Sequence, residues 1–421
     1  PEFKESKQWL DFGLKELWEE TLRQFYSDGV NFEGSIAYHR FSTEMVISAI
    51  ILCHLNDIPV PRDVLQRIEN MLEFIMYYTK PDGTVPIIGD ADNGRLHRLT
   101  VYNPSDREWI DHRYLLALGS LLFNREDFSQ AAGDQWQDAF WMMGEKSREI
   151  LQIKKDNGFK QNFLESRYFM DGGIAIIRHN DLYLAACVGS ERNRRPSGHI
   201  HNDIGSIEVF SNGTTWIIDP GAYIYTSDYE ARYMFRSTLY HNTVQVDDLE
   251  LVDIFRHKPF YAGEMPKIEI YSWESDPKLT KLRFGYCKKK NNRFLVDFRR
   301  HIDIDLDSEK FLLTISDILK ISKSENHKIT WRWHFSPLVQ VELAAPDTVV
   351  LRTEEGIGIT LKFISSITFH ISIEKGWASQ SYGVRKTIQF AQLKYFGSTY
   401  SSIELITSMT PNRSKLKCSG L

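Results

Sequence analysis

The stretch Ser197–Asp248, SGHIHNDIGSIEVFSNGTTWIIDPGAYIYTSDYEARYMFRSTLYHNTVQVDD, decides how the rest of the chain is read. His199 and His201 stand one residue apart, just ahead of a strand-like run. Asp219 follows a second such run, and His241 lies inside a third. If these strands are neighbours, His201, Asp219 and His241 converge, and two imidazoles with a carboxylate form a common zinc ligand set. His199 and His201 would share one side of a strand, because side chains alternate along it. One imidazole could then hold a metal while the other stays free for acid–base work. The same residue types are common at strand ends and turns, and the spacing lacks the compactness of a Cys-x-x-Cys pair.

Around this stretch the chain divides in two. Upstream, Trp9, Leu10, Phe12, Leu14, Leu17, Trp18, Leu22 and Phe25 recur near helical spacing over 4–26, and Ser27-Asp28-Gly29 stops the run. Further helices are expected over 41–56 and 62–79, separated by Pro59 and Pro61, and then over 107–123 and 126–152. Short connections between them predict helical hairpins packed side by side. The character changes near Asp156-Asn157-Gly158. From Phe169 onward, β-branched and aromatic runs alternate with turn residues, which predicts an antiparallel sandwich. The expectation is an α+β multidomain chain, with a helical domain over 1–157 and a β-sandwich domain over 158–421.

Composition narrows the function classes. The 421 residues are 42% hydrophobic, enough for substantial cores, and the net charge of −5 gives no sign of a nucleic-acid binder. The four cysteines, Cys53, Cys187, Cys287 and Cys418, are widely spaced and show no metal or redox pattern. There is no uninterrupted run of about 18 apolar residues, so no membrane span is expected. No signal peptide is recognisable, and the chain opens at Pro1 directly into a helical pattern, as a fragment or processed chain would.

A second constellation lies at Asp28–Arg40, DGVNFEGSIAYHR, where Tyr38 and His39 occupy a loop-to-helix entry. Together with the order H-x-H-x-D, Asn212-Gly213, Asp219-Pro220-Gly221 and R-S-T-x-x-H-N-T over 236–243, it resembles the heparinase II/III-like family of polysaccharide lyases and relatives. The resemblance implies a partial (α/α) toroid followed by an antiparallel β-sandwich, with the first part of the toroid missing. It implies an enzyme, a polysaccharide lyase acting on an anionic, uronate-containing polysaccharide or oligosaccharide by β-elimination to give a 4,5-unsaturated uronate.

By the same resemblance, Tyr38 is the acid/base group and His199 the cleft histidine. His39, Glu33, Arg236, Tyr240 and Arg194 are then substrate-binding residues. His201, Asp219 and His241 hold a structural divalent metal, usually zinc. The family's upstream Asn/His, which polarises the substrate carboxylate, has no counterpart at the expected distance. A bacterial periplasm or cell envelope is the implied compartment, with the cytoplasm left open, as is the oligomeric state.

The chemistry accounts for these residue types. Elimination removes the weakly acidic C5 proton and expels the C4 oxygen, so a proton acceptor and a donor must reach one linkage. Tyr38 and His199 are therefore expected to face each other across an interdomain cleft at about one sugar's width, roughly 5–10 Å. Arg192, Arg194 and Arg195 form a basic loop before His199, and Gly89–Arg95 is read as cleft rim rather than a calcium loop. Two alternatives remain open: a non-catalytic glycan-binding or capsule-assembly protein, and a metal-dependent glycan hydrolase.

Overall fold

In a computed structural model, the structure describes residues 3–99, 108–145, 164–190, 198–290, 293–307, 310–321, 326–398 and 402–412, together with 147, 148, 150 and 152. The helical part contains α1 (Ser6–Gln24), α2 (Ile36–Leu55), α3 (Arg62–Tyr78), α4 (Tyr114–Phe123), α5 (Glu126–Ala131) and α6 (Gln137–Met143). Helix α3 is its centre and touches α1, α2, α4 and α5. Val64, Ile68, Met71, Leu72 and Ile75 recur at helical spacing along it and are all fully buried. Each such side chain contributes on the order of 2 kcal/mol. Ile68→Asp would put an unpaired carboxylate among them.

Helix α2 begins five residues before the sequence-expected start, because Ser35 caps it by accepting the Tyr38 amide at 3.1 Å. By length and a mean hydropathy of 1.2 this helix could cross a membrane, but 61% of its apolar window is buried in the helical core. The expected helix over 126–152 is broken. Gly133 at φ +57° turns the chain between α5 and α6, and Trp136 Nε1 donates to its carbonyl at 3.0 Å. The expected helix over 107–123 is likewise a 3₁₀ turn, Glu108–Ile110, followed by α4.

From Arg167 onward the described residues form three antiparallel sheets and one further helix, α7 (Tyr229–Arg236). A five-stranded sheet runs in chain order: β1 (Arg167–Phe169), β2 (Ile174–His179), β3 (Leu182–Cys187), β4 (Ile207–Ser211) and β5 (Thr214–Ile217). An eight-stranded sheet and a four-stranded sheet complete the sandwich. At the eight-stranded sheet's centre Arg293–Asp307 pairs with Lys310–Ile321, in register Ile302↔Ile315. In the four-stranded sheet, Asn326–His334 carries Trp331 and Trp333 inward.

The five-stranded sheet belongs to both halves. Ile174, Ile176, Tyr183 and Ala185 pack into the helical core. Ala175, Ile177, Leu182 and Leu184, on the opposite face by strand alternation, pack into the sandwich core. Buried polar contacts lock the same seam. Lys80 Nζ pairs with Glu208 at 3.3 Å, the Ile87 amide donates to Glu208 at 3.0 Å, and Tyr183 Oη donates to the Tyr78 carbonyl at 2.8 Å.

Candidate functional site

Four segments meet where the helical part touches the sandwich. Ser35 both caps α2 and donates through Oγ to the Asp90 carbonyl at 2.6 Å. This fixes Tyr38 in the first turn of α2 against the loop 86–94. The Asp90 amide donates to the His199 carbonyl at 3.0 Å. Gly89, at φ +71°, lets this loop pass between the two partners. A Cβ there would lie 2.9 Å from the Gly34 carbonyl oxygen and 3.0 Å from that of His199.

Asp90 is the hub. Its carboxylate is wholly buried. Oδ2 lies 3.0 Å from His199 Nδ1 and 2.7 Å from an Arg232 nitrogen, while Oδ1 lies 2.9 Å from His201 Nε2 and also meets Arg232. Burial alone would raise its pKa, but hydrogen bonds from His199 and His201 and the Arg232 charge hold it well below the carboxylate range. With Nδ1 of His199 directed at this carboxylate, Nε2 faces away from it. It stands 3.9 Å from Glu33 Oε1, and burial raises the Glu33 pKa.

Tyr38 stacks on His199, with ring centroids 4.0 Å apart and planes at 24°. Its hydroxyl donates to Asp92 Oδ2 at 2.9 Å and lies 3.4 Å from Tyr225 Oη. Burial pushes the Tyr38 phenol well above its ordinary range; the Tyr225 hydrogen bond opposes this and the Asp92 charge reinforces it. The two rings are closer than the sugar's width expected from the sequence. The loop carrying Asp90 draws both residues together, since Asp90 bonds to Ser35 on one side and His199 on the other.

His201 and His241 form a second, sealed cluster. Their ring centroids are 5.4 Å apart and neither side chain reaches solvent. His241 Nδ1 is 2.8 Å from Asp219 Oδ2, and Asp219 Oδ1 accepts the Gly221 amide. Burial lowers the His201 pKa to about 4 against the pull of Asp90, whose charge Arg232 already balances. His241 goes the other way: burial lowers it, but the Asp219 carboxylate outweighs burial.

His201 Nδ1 and His241 Nε2 are both buried without a hydrogen-bond partner, which suits two nitrogen donors for a cation, each backed by a carboxylate on its other side. Among the described residues, no group of three or more His, Cys, Asp or Glu side chains is closed tightly enough to enclose an ion. Contrary to the strand placement expected for them, His199 and His201 lie in an irregular segment. His241 follows the 3₁₀ turn Thr238–Tyr240 rather than sitting in a strand.

Three residues expected to touch substrate are instead buried in the packing of the fold. His39 is buried on the inner side of α2. There its Nε2 meets the Met71 carbonyl at 3.2 Å, its ring packs edge-on to Phe25, Phe74 and Tyr78, and burial lowers its pKa to about 3. Arg236 is buried and donates to the backbone carbonyls of Ile200, Pro259 and Tyr261. Tyr240 packs on Phe235 and His334, and its hydroxyl accepts the Trp377 amide at 3.0 Å. Arg194, with Arg192 and Arg195, lies outside the described residues.

Asp90, Asp92, Tyr225 and Arg232 carry the site's connections and were not singled out by the motif spacing. The faint signals were the run Gly89-Asp90-Ala91-Asp92 and Arg232 one helical turn before Arg236. A cavity of about 680 Å³, lined by residues including Lys80, Arg113, Arg178 and Asp276, shares no residue with this site.

A helical domain is thus joined through a shared sheet to an antiparallel sandwich, with a stacked Tyr–His pair at the seam. The family model described as "Heparinase II/III-like, C-terminal" matches residues 164–415, and "Heparinase II/III N-terminus" matches residues 1–110. The chain belongs to the heparinase II/III-like family.

The heparin-sulfate lyase of Bacteroides stercoris is 22% identical over 418 residues, covering 98% of this chain and 54% of that protein. The heparin-sulfate lyase of Pedobacter heparinus is 23% identical over 303 residues, covering 70% of this chain and 41% of the relative. A solved heparinase III superposes with a TM-score of 0.75 at 20% identity, covering 99% of this chain and 58% of that one. The heparan sulfate lyase HepC from Pedobacter heparinus gives 0.73 at 17% identity, covering 99% and 58%. The chain spans about half the length of the curated relatives it matches.

Proposed function

We propose that this protein acts as a polysaccharide lyase that cleaves a uronate-containing, anionic polysaccharide by β-elimination. The observation that carries this is the stacked Tyr38–His199 pair, with a buried Asp90 behind the histidine and Asp92 beside the phenol. In the reaction, His199 Nε2 takes the C5 proton, the C5–H electron pair forms the C4=C5 double bond, and the C4–O4 bond breaks. Tyr38, kept protonated by burial, gives its proton to the leaving O4. Asp90 holds the His199 ring in the tautomer this requires and stabilises the imidazolium that forms.

A divalent cation, zinc by the donor chemistry, would be held by His201 Nδ1 and His241 Nε2, with Asp219 orienting the His241 ring from its Nδ1 side rather than serving as a ligand. Bound there, it would supply a rigid cross-link beneath the cleft. Its donors are sealed from solvent, which supports a structural role and speaks against the hydrolase alternative, in which a metal must reach the sugar.

The test is incubation of the protein with a panel of uronate polysaccharides while following ultraviolet absorbance. Elimination conjugates a new C=C with the carboxylate and absorbance rises. Chain shortening without that rise would identify a hydrolase, and binding without either would identify a glycan-binding protein.

A further inference from the structure

Two exposed cations, Lys258 and Arg385, each lie over aromatic rings in segments that reach the Tyr38–His199 pair. On one side, the loop from Asp253 to Gly263 is closed by the Gly263 amide donating to the Asp253 carbonyl at 2.9 Å. It is pinned from beneath by the buried guanidinium groups of Arg232 and Arg236, which donate to the Pro259 carbonyl at 2.9 and 2.8 Å. The loop also presses on the backbone beside His199, since a Cβ on Gly198 would lie 2.5 Å from the Phe260 carbonyl oxygen. Its outer surface exposes Phe255 (43%), Phe260 (41%) and Tyr261 (45%). Lys258 Nζ lies 5.8 and 5.5 Å from the ring centroids of Phe255 and Tyr261.

On the other side, the Arg385 guanidinium lies 4.4 Å from the Trp377 ring and 4.9 Å from the Tyr223 ring. The two sides connect through the site. Phe260 meets the His199 ring at 5.8 Å and Tyr225 at 5.5 Å. Tyr225 meets Tyr382 at 5.1 Å, donates its amide to the Tyr382 hydroxyl at 3.3 Å, and reaches the Tyr38 hydroxyl.

Neither Lys258 nor Arg385 forms an ion pair with a carboxylate among the described residues, although the chain has 56 acidic residues against 51 basic ones. A cation held over rings in a fixed loop is already oriented, so a ligand anion replaces water rather than a protein carboxylate. Exposed aromatic faces beside it suit the apolar faces of sugar rings.

We propose that Lys258 and Arg385 form two anion-binding subsites, one on each side of the Tyr38–His199 pair. They receive carboxylates or sulfates of the sugars that flank the scissile linkage. This rests on the lyase reading above and adds to it the acidic groups that the two rims read.

The test uses the full chain carrying Tyr38→Phe, titrated calorimetrically with size-defined uronate oligosaccharides, sulfated and unsulfated. Lys258→Glu and Arg385→Glu are each expected to weaken binding of a tetrasaccharide about tenfold or more. Lys362→Glu, an equal charge change on the distant strand Gly358–Ser365, is expected to leave it unaltered. Added salt should shrink the difference. A disaccharide should respond to one of the two rim substitutions at most.

An effect confined to sulfated ligands identifies sulfate as the anion, and an effect on both identifies the carboxylate. If the Tyr38→Phe chain binds these oligosaccharides but both rim variants match Lys362→Glu, the subsites are refuted and the lyase reading stands. If the Tyr38→Phe chain binds none of them, the lyase reading fails and the subsites fail with it.

Discussion

His199 and His201 are one residue apart and share the two oxygens of one carboxylate, yet they live in different environments. The His199 side chain is 21% exposed and stacked on Tyr38, with its Nε2 turned toward Glu33. The His201 side chain is 0% exposed and faces His241. A single buried aspartate thus serves a chemical pair above it and a sealed pair below it, with Arg232 balancing its charge. The contrast teaches that one short motif can divide its work by depth alone.

The sharpest test of this division is Tyr38→Phe, which removes only a hydroxyl. It should lower turnover about 100- to 10,000-fold by the absorbance assay while leaving the melting temperature unchanged. Normal turnover would take Tyr38 out of the chemistry and move the binding or hydrolase reading ahead.

Asp90→Ala should be felt on both levels. It leaves Arg232 buried without its partner, so stability by urea denaturation should fall by about 3–5 kcal/mol, and turnover should fall with it. A variant that lost activity with stability intact would separate the two levels that Asp90 is argued to join.

His241→Ala should lower stability by about 1–3 kcal/mol, because Asp219 loses its buried partner, and should alter oligosaccharide affinity far less. A chelator should lower the melting temperature of the parent and leave that of this variant unmoved. An equal effect on both would remove the cation from the account of the sealed pair.

The smallest effect concerns His39, the neighbour of Tyr38 on the opposite, buried side of α2. Its folded pKa, about 3, lies below the ordinary 6.5, so the unfolded chain binds the extra proton and stability is lost as pH falls below about 6.5. Between pH 6.5 and 5.5 the loss from this residue is about 1 kcal/mol. In His39→Gln that part of the pH dependence should vanish from thermal melts, with substrate affinity unaltered. An affinity change instead would return His39 to the cleft.

The fold was legible because its signals were local. The α3 stripe and the alternating runs after Phe169 carry their periodicity in adjacent residues. The breaks were less visible, because Gly133 ends a helix through a backbone angle that its neighbours do not announce. At the site, the ordered motif, with the Asp28–Arg40 string, singled out Tyr38, His199, His201 and His241, and the fold brings Tyr38 to His199 and His201 to His241. It misled for Arg236 and Tyr240, which sit in the same string but hold loops together through backbone groups. Asp90 escaped because its partners are 109, 111 and 142 residues away, and no spacing rule reaches across that distance.

The five-stranded sheet has a consequence of its own. Ile174 and Ile176 face the helices while Ala175 and Ile177 face the sandwich, so one backbone ribbon is a wall common to both cores. Melting either side strips that wall of half its packing. The two parts are therefore bound to unfold together, and a calorimetric scan should give one endotherm whose van't Hoff and calorimetric enthalpies agree.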